Sequence, residues 1–381
     1  MRQYWAINGR FLAQKLTGVQ RYARQIVTEL DQLLTSHPEI ARGLNLELLA
    51  PPDATLDLPL SVISTRTVGP LRGHLWEQLV LPANLHGRGL LSLCNTGPVL
   101  ANTQIVCIHD TNTRNYPKSY SPAFRALYRA LVPALGHKAE FVATVSHFSA
   151  GELVRHGICR PDNILVAPNG HEHALEWRLR HSDATRLAAG PTTIVLLGSA
   201  APHKNARLII DVADKLHAEG FKIAVVGVSD PRIFKQPTFE SAANVFWLGR
   251  LSDAELAALL RDSMCLAFPS LTEGFGLPPL EAMALGCPVV VSDRASLPEI
   301  CGDAALYASP DNSAEWLDRF MALNASPTRR CDMIERGLAR ISHYRWKRSA
   351  ELYLHAMWKA GGLPSAELIQ HLGDPNHAIP V

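Results

Sequence analysis

Pro269-Ser-Leu-Thr-Glu-Gly-Phe-Gly-Leu-Pro-Pro-Leu-Glu-Ala-Met-Ala-Leu-Gly-Cys-Pro-Val-Val-Val291 is the stretch that decides the fold. The apolar run Met264-Cys-Leu-Ala-Phe268 before it is short and bounded by Pro269 and Ser270, the pattern of a buried strand. Pro278 and Pro279 preset φ for a helix start, and Gly286 stands where a helix ends in the left-handed conformation. The expected order is strand, glycine loop, helix, then a second strand over Pro288–Ser292. Glu273 then falls on the loop at the strand's carboxyl end. Glu281 falls in the helix's first turn, pointing toward the same crevice. Two acceptors beside backbone N–H groups and a helix N-terminus suit a polyhydroxylated ligand carrying phosphate. Glu281 taken alone reads equally well as dipole compensation in an ordinary helix.

Outward from this unit, apolar strand-like runs alternate with amphipathic helical stretches, which predicts parallel sheets covered by helices. The expected strands are Ile105–His109, Phe141–Val145, Ile164–Ala167, Thr193–Leu197, Lys222–Val228, Val245–Leu248, Met264–Phe268 and Pro288–Ser292. One helix is expected from Asn205 to Glu219, closed by Gly220. The segment His173 to Pro191 is polar, strand-poor and rich in Arg and His, and is read as the hinge between two halves. The fold class is therefore α/β, two Rossmann-like domains facing each other across a cleft. Ligands of such sheets bind beyond the carboxyl ends of the strands.

With 381 residues the chain is too long for one ordinary core, and 47% hydrophobic with 19% charged residues is the balance of a globular protein. Its longest apolar runs fall short of the roughly 20 residues that span a bilayer, and Met1-Arg-Gln-Tyr-Trp-Ala-Ile lacks a signal-like apolar core. Seven scattered cysteines without Cys-x-x-Cys spacing argue against a disulfide scaffold or zinc ribbon. A cytoplasmic protein with reduced thiols is expected. Residues 1–160 hold 16 Lys and Arg against 10 Asp and Glu, while the whole chain nets only +2. An excess this small does not point to nucleic acid, and none is expected as partner.

Other candidates sit at strand ends. After Thr193–Leu197 comes Gly198-Ser-Ala-Ala-Pro-His-Lys-Asn205, where Lys204 and the following helix end can hold a diphosphate. Asn8-Gly-Arg-Phe-Leu-Ala-Gln-Lys-Leu-Thr-Gly-Val-Gln-Arg21 places Gly18 at a helix start, where backbone can approach an anion closely. His109 ends its strand, placed to hydrogen-bond a sugar or buffer a proton, with Asp110 next to it. Ser146 and Ser149 read as caps, and Pro168-Asn-Gly170 as a turn toward the hinge.

The glutamate-x7-glutamate string, with both glycines and its Glu-Ala-Met-Ala-x-Gly-x-Pro-Val tail, closely resembles the motif of the retaining glycosyltransferases of family 4, which have the GT-B architecture. The resemblance runs from Asn8 to about Met357. It includes Gly249-Arg250-Leu251, similar to a base-receiving loop, and Tyr344-Arg-Trp346, similar to an aromatic-x-Trp signature. The region around Lys204 resembles an Arg-Lys-Asn signature of phosphate contacts, with His203 in place of the arginine. The resemblance implies an acceptor domain over 1–175 and a donor domain over 176–344. A helix near 345–360 would pack back on the first domain, and 361–381 would be an irregular tail.

It further implies that Glu273 binds hydroxyls of the transferred sugar and Glu281 the ribose. Backbone N–H groups of Gly274, Phe275, Gly276 and Leu277 would orient the sugar. Gly18, Gly198, Lys204, Arg250 and Leu251 would complete the donor site, with His109 near the reacting sugar and Asp110 on the acceptor side. No Asp-x-Asp pair is placed to carry a metal, so no metal and no cofactor beyond the nucleotide-sugar is expected. Leu75-Trp-Glu-Gln-Leu-Val-Leu-Pro82 and Asp110 through Pro133 resemble a bacterial mannosyltransferase subgroup of surface-polysaccharide and O-antigen assembly. That implies GDP-mannose as donor and a glycan, commonly lipid-linked, as acceptor; a UDP-sugar or another GDP-sugar is the alternative. The stretch Pro122–Lys138, with Arg125, Arg129 and Lys138 among apolar residues, reads either as a peripheral contact with anionic membrane at its cytoplasmic face or as a core-facing helix with a basic outer surface.

Rivals of other classes are a sugar-nucleotide epimerase, a phosphorylase and a non-catalytic sugar-nucleotide sensor. The first should use other acids, and the second needs a longer chain with a cofactor lysine. A sensor need not keep Glu273, Glu281, Lys204 and His109 together. A dehydrogenase is disfavoured because no Gly-x-Gly-x-x-Gly follows the first strand.

Overall fold

The structure, a computed structural model, describes residues 3–197, 201–227 and 243–362 with Leu368 and Leu372. Two compact units divide the chain. The first comprises residues 1–115, 120–170 and 345–381; the second comprises residues 116–119 and 171–344. Each is built on one parallel sheet.

The first sheet contains β1 (Gln3–Asn8), β2 (Leu44–Ala50), β3 (Ser64–Thr67), β4 (Gly89–Ser92), β5 (Gln104–Cys107), β6 (Phe141–Thr144) and β7 (Ile164–Val166). Their order is β3-β2-β1-β4-β5-β6-β7, every pair parallel. Central strands β4 and β5 are buried at every residue, as strands covered on both faces must be. The edge strand β3, Ser-Thr-Arg-Thr, is exposed throughout, and Arg66 forks onto Glu47 of β2. A short, polar, charged edge resists pairing with another chain.

The helix Gly18–Ser36 covers this sheet. It buries Tyr22, Ala23, Ile26, Val27, Leu30, Leu33 and Leu34, the three-and-four spacing of one helical face. The helix Trp346–Ala360 also belongs to the first unit, and the Tyr22 and Tyr353 hydroxyls meet at 2.9 Å. In the helix Pro122–Lys138, Leu131, Val132 and Leu135 face the core, whereas Arg129 and Lys138 are exposed.

The second sheet contains β8 (Gly190–Leu197), β9 (Lys222–Val226), β10 (Val245–Gly249), β11 (Ser263–Phe268), β12 (Val289–Ser292) and β13 (Ala305–Ala308). The order β10-β9-β8-β11-β12-β13 puts the first and fourth strands side by side at the centre. Chain direction through the sheet reverses there, the place where open α/β sheets leave a crevice for ligands. Its core clusters Ile194, Leu196, Ile223, Val225, Met264 and Val290 with Trp316 and Phe320.

Two expectations of secondary structure need correction. The run Asn205–Glu219 is two short helices, Arg207–Ile210 and Ala213–Ala218. Between them Val212 takes φ −109° and its N–H bonds only three residues back, to Ile209, so the turn tightens while Ile209, Ile210 and Leu216 all stay in the core. The strand expected over Ile105–His109 ends at Cys107, leaving His109 two residues beyond it. Val228 of the strand expected over Lys222–Val228, and nearly all of the tail 361–381, lie outside the described residues. No helix among the described residues is long and apolar enough to cross a membrane.

Candidate functional site

The strand–loop–helix of residues 263–292 is formed as its residues dictate. β11 is buried at all six positions and pairs in parallel with β12, Leu266 opposite Val289. Gly276 caps the helix Leu277–Ala284 at φ +101°, ψ 52°, and a Cβ there would lie 2.7 Å from Leu297 Cδ2. Only glycine satisfies both limits. At the far end Gly286, φ +71°, bonds to Met283 O and Cys287 N–H to Ala282 O, the paired bonds that close a helix on a left-handed residue.

The loop is held from outside by Ser296, whose buried hydroxyl lies 2.8 Å from Phe275 O and 3.1 Å from Glu273 O. The Phe275 ring stands edge-on to Tyr344 at 5.5 Å. These contacts hold the backbone of Glu273–Gly276 from outside the loop. Gly274, Phe275, Gly276 and Leu277 are all buried. Pro278 and Pro279 carry no N–H, so of the first four helical positions only Leu277 and Leu280 bring a donor.

Glu273 and Lys204 come together. Lys204 Nζ donates to Glu273 Oε1 at 2.7 Å and lies 5.4 Å from the Phe268 ring centre. Lys204 ends the short 3₁₀ turn Pro202–Lys204 that follows β8, and Glu273 follows β11, so the pair spans the reversal point of the sheet. The helix behind Lys204 is a single turn, Arg207–Ile210, entered through Asn205 at φ +51°. It is far shorter than the continuous helix expected there.

Glu281 is not in the first turn. The helix begins at Leu277, which puts Glu281 at the fifth position, one turn inside. It is 7% exposed, and its Oε1 accepts from His173 Nε2 at 2.8 Å. His173 is buried too, its ring edge-on to Trp177.

His203 is buried, and its Nδ1 lies 3.0 Å from Ser119 Oγ. Burial, then the Lys204 charge, push its pKa below the usual histidine value, more than Glu273 raises it. A neutral, hydrogen-bonded imidazole replaces the cation that the resembled signature carries. Arg250 is exposed and Leu251 half-buried, after Gly249 at φ +64° and before the helix Asp253–Arg261 with its Ser252–Glu255 capping box. Gly198 lies outside the described residues.

In the first unit Gly18 is exposed and opens its helix after Thr17, whose side chain makes no capping bond. His109 is 6% exposed, with Nε2 2.9 Å from Leu93 O and its ring edge-on to Tyr22 at 4.8 Å. A carbonyl only accepts, so Nε2 carries the hydrogen and Nδ1 the lone pair. Burial lowers its pKa to about 4, against a small raising effect of Leu93. It is thus neutral at pH 7, and buffering a proton there does not fit it; accepting a hydrogen bond does. Ser149 Oγ donates to His109 O, and Ser146 caps the helix His147–Arg155 through Ser149 N. Asp110 Oδ1 accepts from Asn112 N at 2.8 Å.

A further polar cluster, not singled out from sequence, sits at the reversal point of the first sheet, between the ends of β1 and β4. Fully buried Glu77 accepts from Asn8 Nδ2 (2.8 Å), Arg10 Nε (3.0 Å) and Thr96 Oγ1 (2.9 Å), and His74 Nδ1 lies 3.1 Å away. Arg10 Nη2 donates to Thr96 Oγ1 at 2.7 Å. Burial alone would raise the Glu77 carboxyl, but the His74 bond, the Arg10 charge and the Asn8 and Thr96 bonds together hold it below its usual value. Glu77 lies in a π-helical turn, Trp76–Val80, a local widening that turns its side chain onto Arg10. The sequence signal was available: Asn8-Gly-Arg and Trp76-Glu both lay in segments already quoted.

Comparison with known proteins agrees with this architecture. Residues 178–340 match the glycosyl transferases group 1 family. The chain is 26% identical over 322 residues to the O-antigen chain mannosyltransferase RfbU of Salmonella typhimurium, covering 81% of this chain and 88% of that protein. It is 28% identical over 261 residues to O-antigen chain mannosyltransferase B of Escherichia coli, covering 64% and 67%. Among solved structures, Anabaena HepE in complex with UDP and glucose superposes with a TM-score of 0.67 at 17% identity, over 92% of this chain and 98% of that one. Residues 178–340 are a glycosyl transferases group 1 domain, and the chain is a glycosyltransferase with two Rossmann-like domains of the GT-B kind.

Proposed function

We propose that the chain transfers mannose from GDP-mannose to a hydroxyl of a lipid-linked glycan in O-antigen assembly, with retention of anomeric configuration and without a metal. The observation that carries this reading is the Lys204–Glu273 pair above the reversal point of the second sheet. Glu273 accepts from hydroxyls of the transferred sugar. Lys204 has three N–H donors, so its ammonium can keep the carboxylate and take a phosphate oxygen as well. The C1–O bond to the diphosphate breaks, C1 bonds to the acceptor oxygen, and the acceptor's proton leaves on a diphosphate oxygen. Lys204 and the fixed N–H groups around Phe275 oppose the charge that develops on the leaving group. Glu281 accepts from the ribose, Arg250 and Leu251 line the base, and Gly18 approaches the distal phosphate. His109 accepts from the sugar and Asp110 stands on the acceptor side.

Mannose is supported by relatives named O-antigen mannosyltransferases. Metal independence is supported by the want of an Asp-x-Asp pair in the sequence. HepE, a likeness of fold only, is described with UDP, which makes a UDP-sugar the second reading. A thermal-shift screen with GDP, UDP and ADP separates them. The reading expects GDP to raise the melting temperature most; stabilisation by UDP alone would transfer the proposal to a UDP-sugar.

A further inference from the structure

We infer that His173 is a positioning residue for nucleotide recognition: it holds the Glu281 carboxylate in the orientation that receives the ribose diol. The inference rests on the ribose role proposed for Glu281 and adds what aims that carboxylate.

Glu281 sits one turn inside its helix and is almost fully buried, as is His173. A buried carboxylate with a flexible side chain would otherwise sample several rotamers, and each would present a different oxygen to the ligand. His173 Nε2 fixes Oε1 at 2.8 Å. Because a carboxylate only accepts, that nitrogen carries a hydrogen, and the contact is charge-assisted. The imidazole has little freedom of its own. It lies two residues after His171, whose Nδ1 is 2.8 Å from Tyr344 O, and its ring stands edge-on with that of Trp177, the ring centres 5.5 Å apart. A carboxylate offers about four lone-pair positions, and the imidazole takes one of them. Orientation of a ligand-binding group by a second hydrogen bond is a general device, and its loss typically costs 10- to 100-fold where the group is a metal ligand.

The test compares GDP with 2′,3′-dideoxy-GDP, and UDP with its dideoxy analogue, by calorimetric titration of the whole protein. A hydroxyl donating to a carboxylate makes a charge-assisted hydrogen bond, so the wild type should bind the ribo form roughly 10-fold or more tightly than the dideoxy form. In His173→Leu that ratio should fall to about threefold or less, while dideoxy binding stays within about threefold of wild type. His173→Gln, which can supply a similarly placed N–H, should restore the ratio. An unchanged melting temperature in His173→Gln keeps the comparison valid if the leucine variant unfolds. A His173→Leu protein, or a His173→Gln protein in its place, that contradicts these ratios overturns the positioning role. A wild type indifferent to the ribose hydroxyls overturns the ribose reading and this inference with it.

Discussion

Lys204 Nζ and Glu273 Oε1 stand 2.7 Å apart, although 69 residues of chain separate them. They are brought together because β8 and β11 are neighbours in the sheet and the loops that follow them leave the reversal point side by side. Both side chains keep partial access to solvent, 29% for Lys204 and 11% for Glu273. The pair is therefore a reachable, preorganised charge couple rather than a sealed ion pair. Its worth to stability is small; its worth to ligand binding lies in placement.

Removal of either member should expose that coupling. Glu273→Ala should lower kcat by about 10²-fold or more, and Lys204→Ala should weaken donor binding by roughly 10-fold with a smaller effect on kcat. The two effects should not add: a double-mutant cycle on kcat/KM should show about 0.5–3 kcal/mol of coupling. Strict additivity in steady-state kinetics, or a larger kcat loss in Lys204→Ala than in Glu273→Ala, would count against the assigned roles.

The buried Arg10–Glu77 cluster makes a different kind of prediction. Glu77→Gln leaves the Arg10 charge without its counterion in a buried place, which should destabilise the fold by about 3–5 kcal/mol. The folded-state pKa of Glu77 is depressed, so its contribution is present above the unfolded value of 4.5 and fades as pH falls through the folded one. Urea unfolding at pH 7 and at pH 4 should show the variant's deficit shrinking in acid. An equal deficit at both pH values would mean that charge is not the cause.

His109 gives the pH dependence a second, separable component. Its pKa falls from 6.5 in the unfolded chain to about 4 in the fold, because burial disfavours the imidazolium. The unfolded chain binds the proton first, so stability drops as pH falls from about 6.5 to 4, by up to about 1.4 kcal/mol per pH unit. Above pH 6.5 the group contributes no slope. His109→Gln, which keeps a donor for Leu93 O, should flatten that stretch of the melting-temperature profile. A variant whose profile runs parallel to wild type would show that His109 titrates normally.

Sequence and structure agree best where one residue type has one physical use. Gly286 had to be left-handed, and the apolar runs Met264–Phe268 and Val289–Val291 had to be buried, so the strand, loop and helix were readable in advance, whereas the left-handed φ of Gly276 is seen only in the structure. Glu281 was placed in the first turn because Pro278 and Pro279 suit any of several early positions; the helix in fact starts one residue before them, at Leu277, which moves Glu281 to the fifth position. Its partner His173 could not be found by pattern, since 108 residues separate the two and only the fold pairs them. Asp31 is a similar case: on a helix face that is otherwise apolar, it accepts from the N–H groups of Ser61, Val62 and Ile63 and so anchors the approach to β3. Local spacing carries no trace of such contacts.

The most direct test of mannosyl transfer is incorporation of radiolabelled mannose from GDP-mannose into a lipid-linked glycan fraction, with and without EDTA. The account predicts label in the glycan, an equimolar release of GDP, no change with EDTA, and near-complete loss in Glu273→Ala. Donor consumed equally well without any glycan, or label transfer untouched by Glu273→Ala, would contradict it.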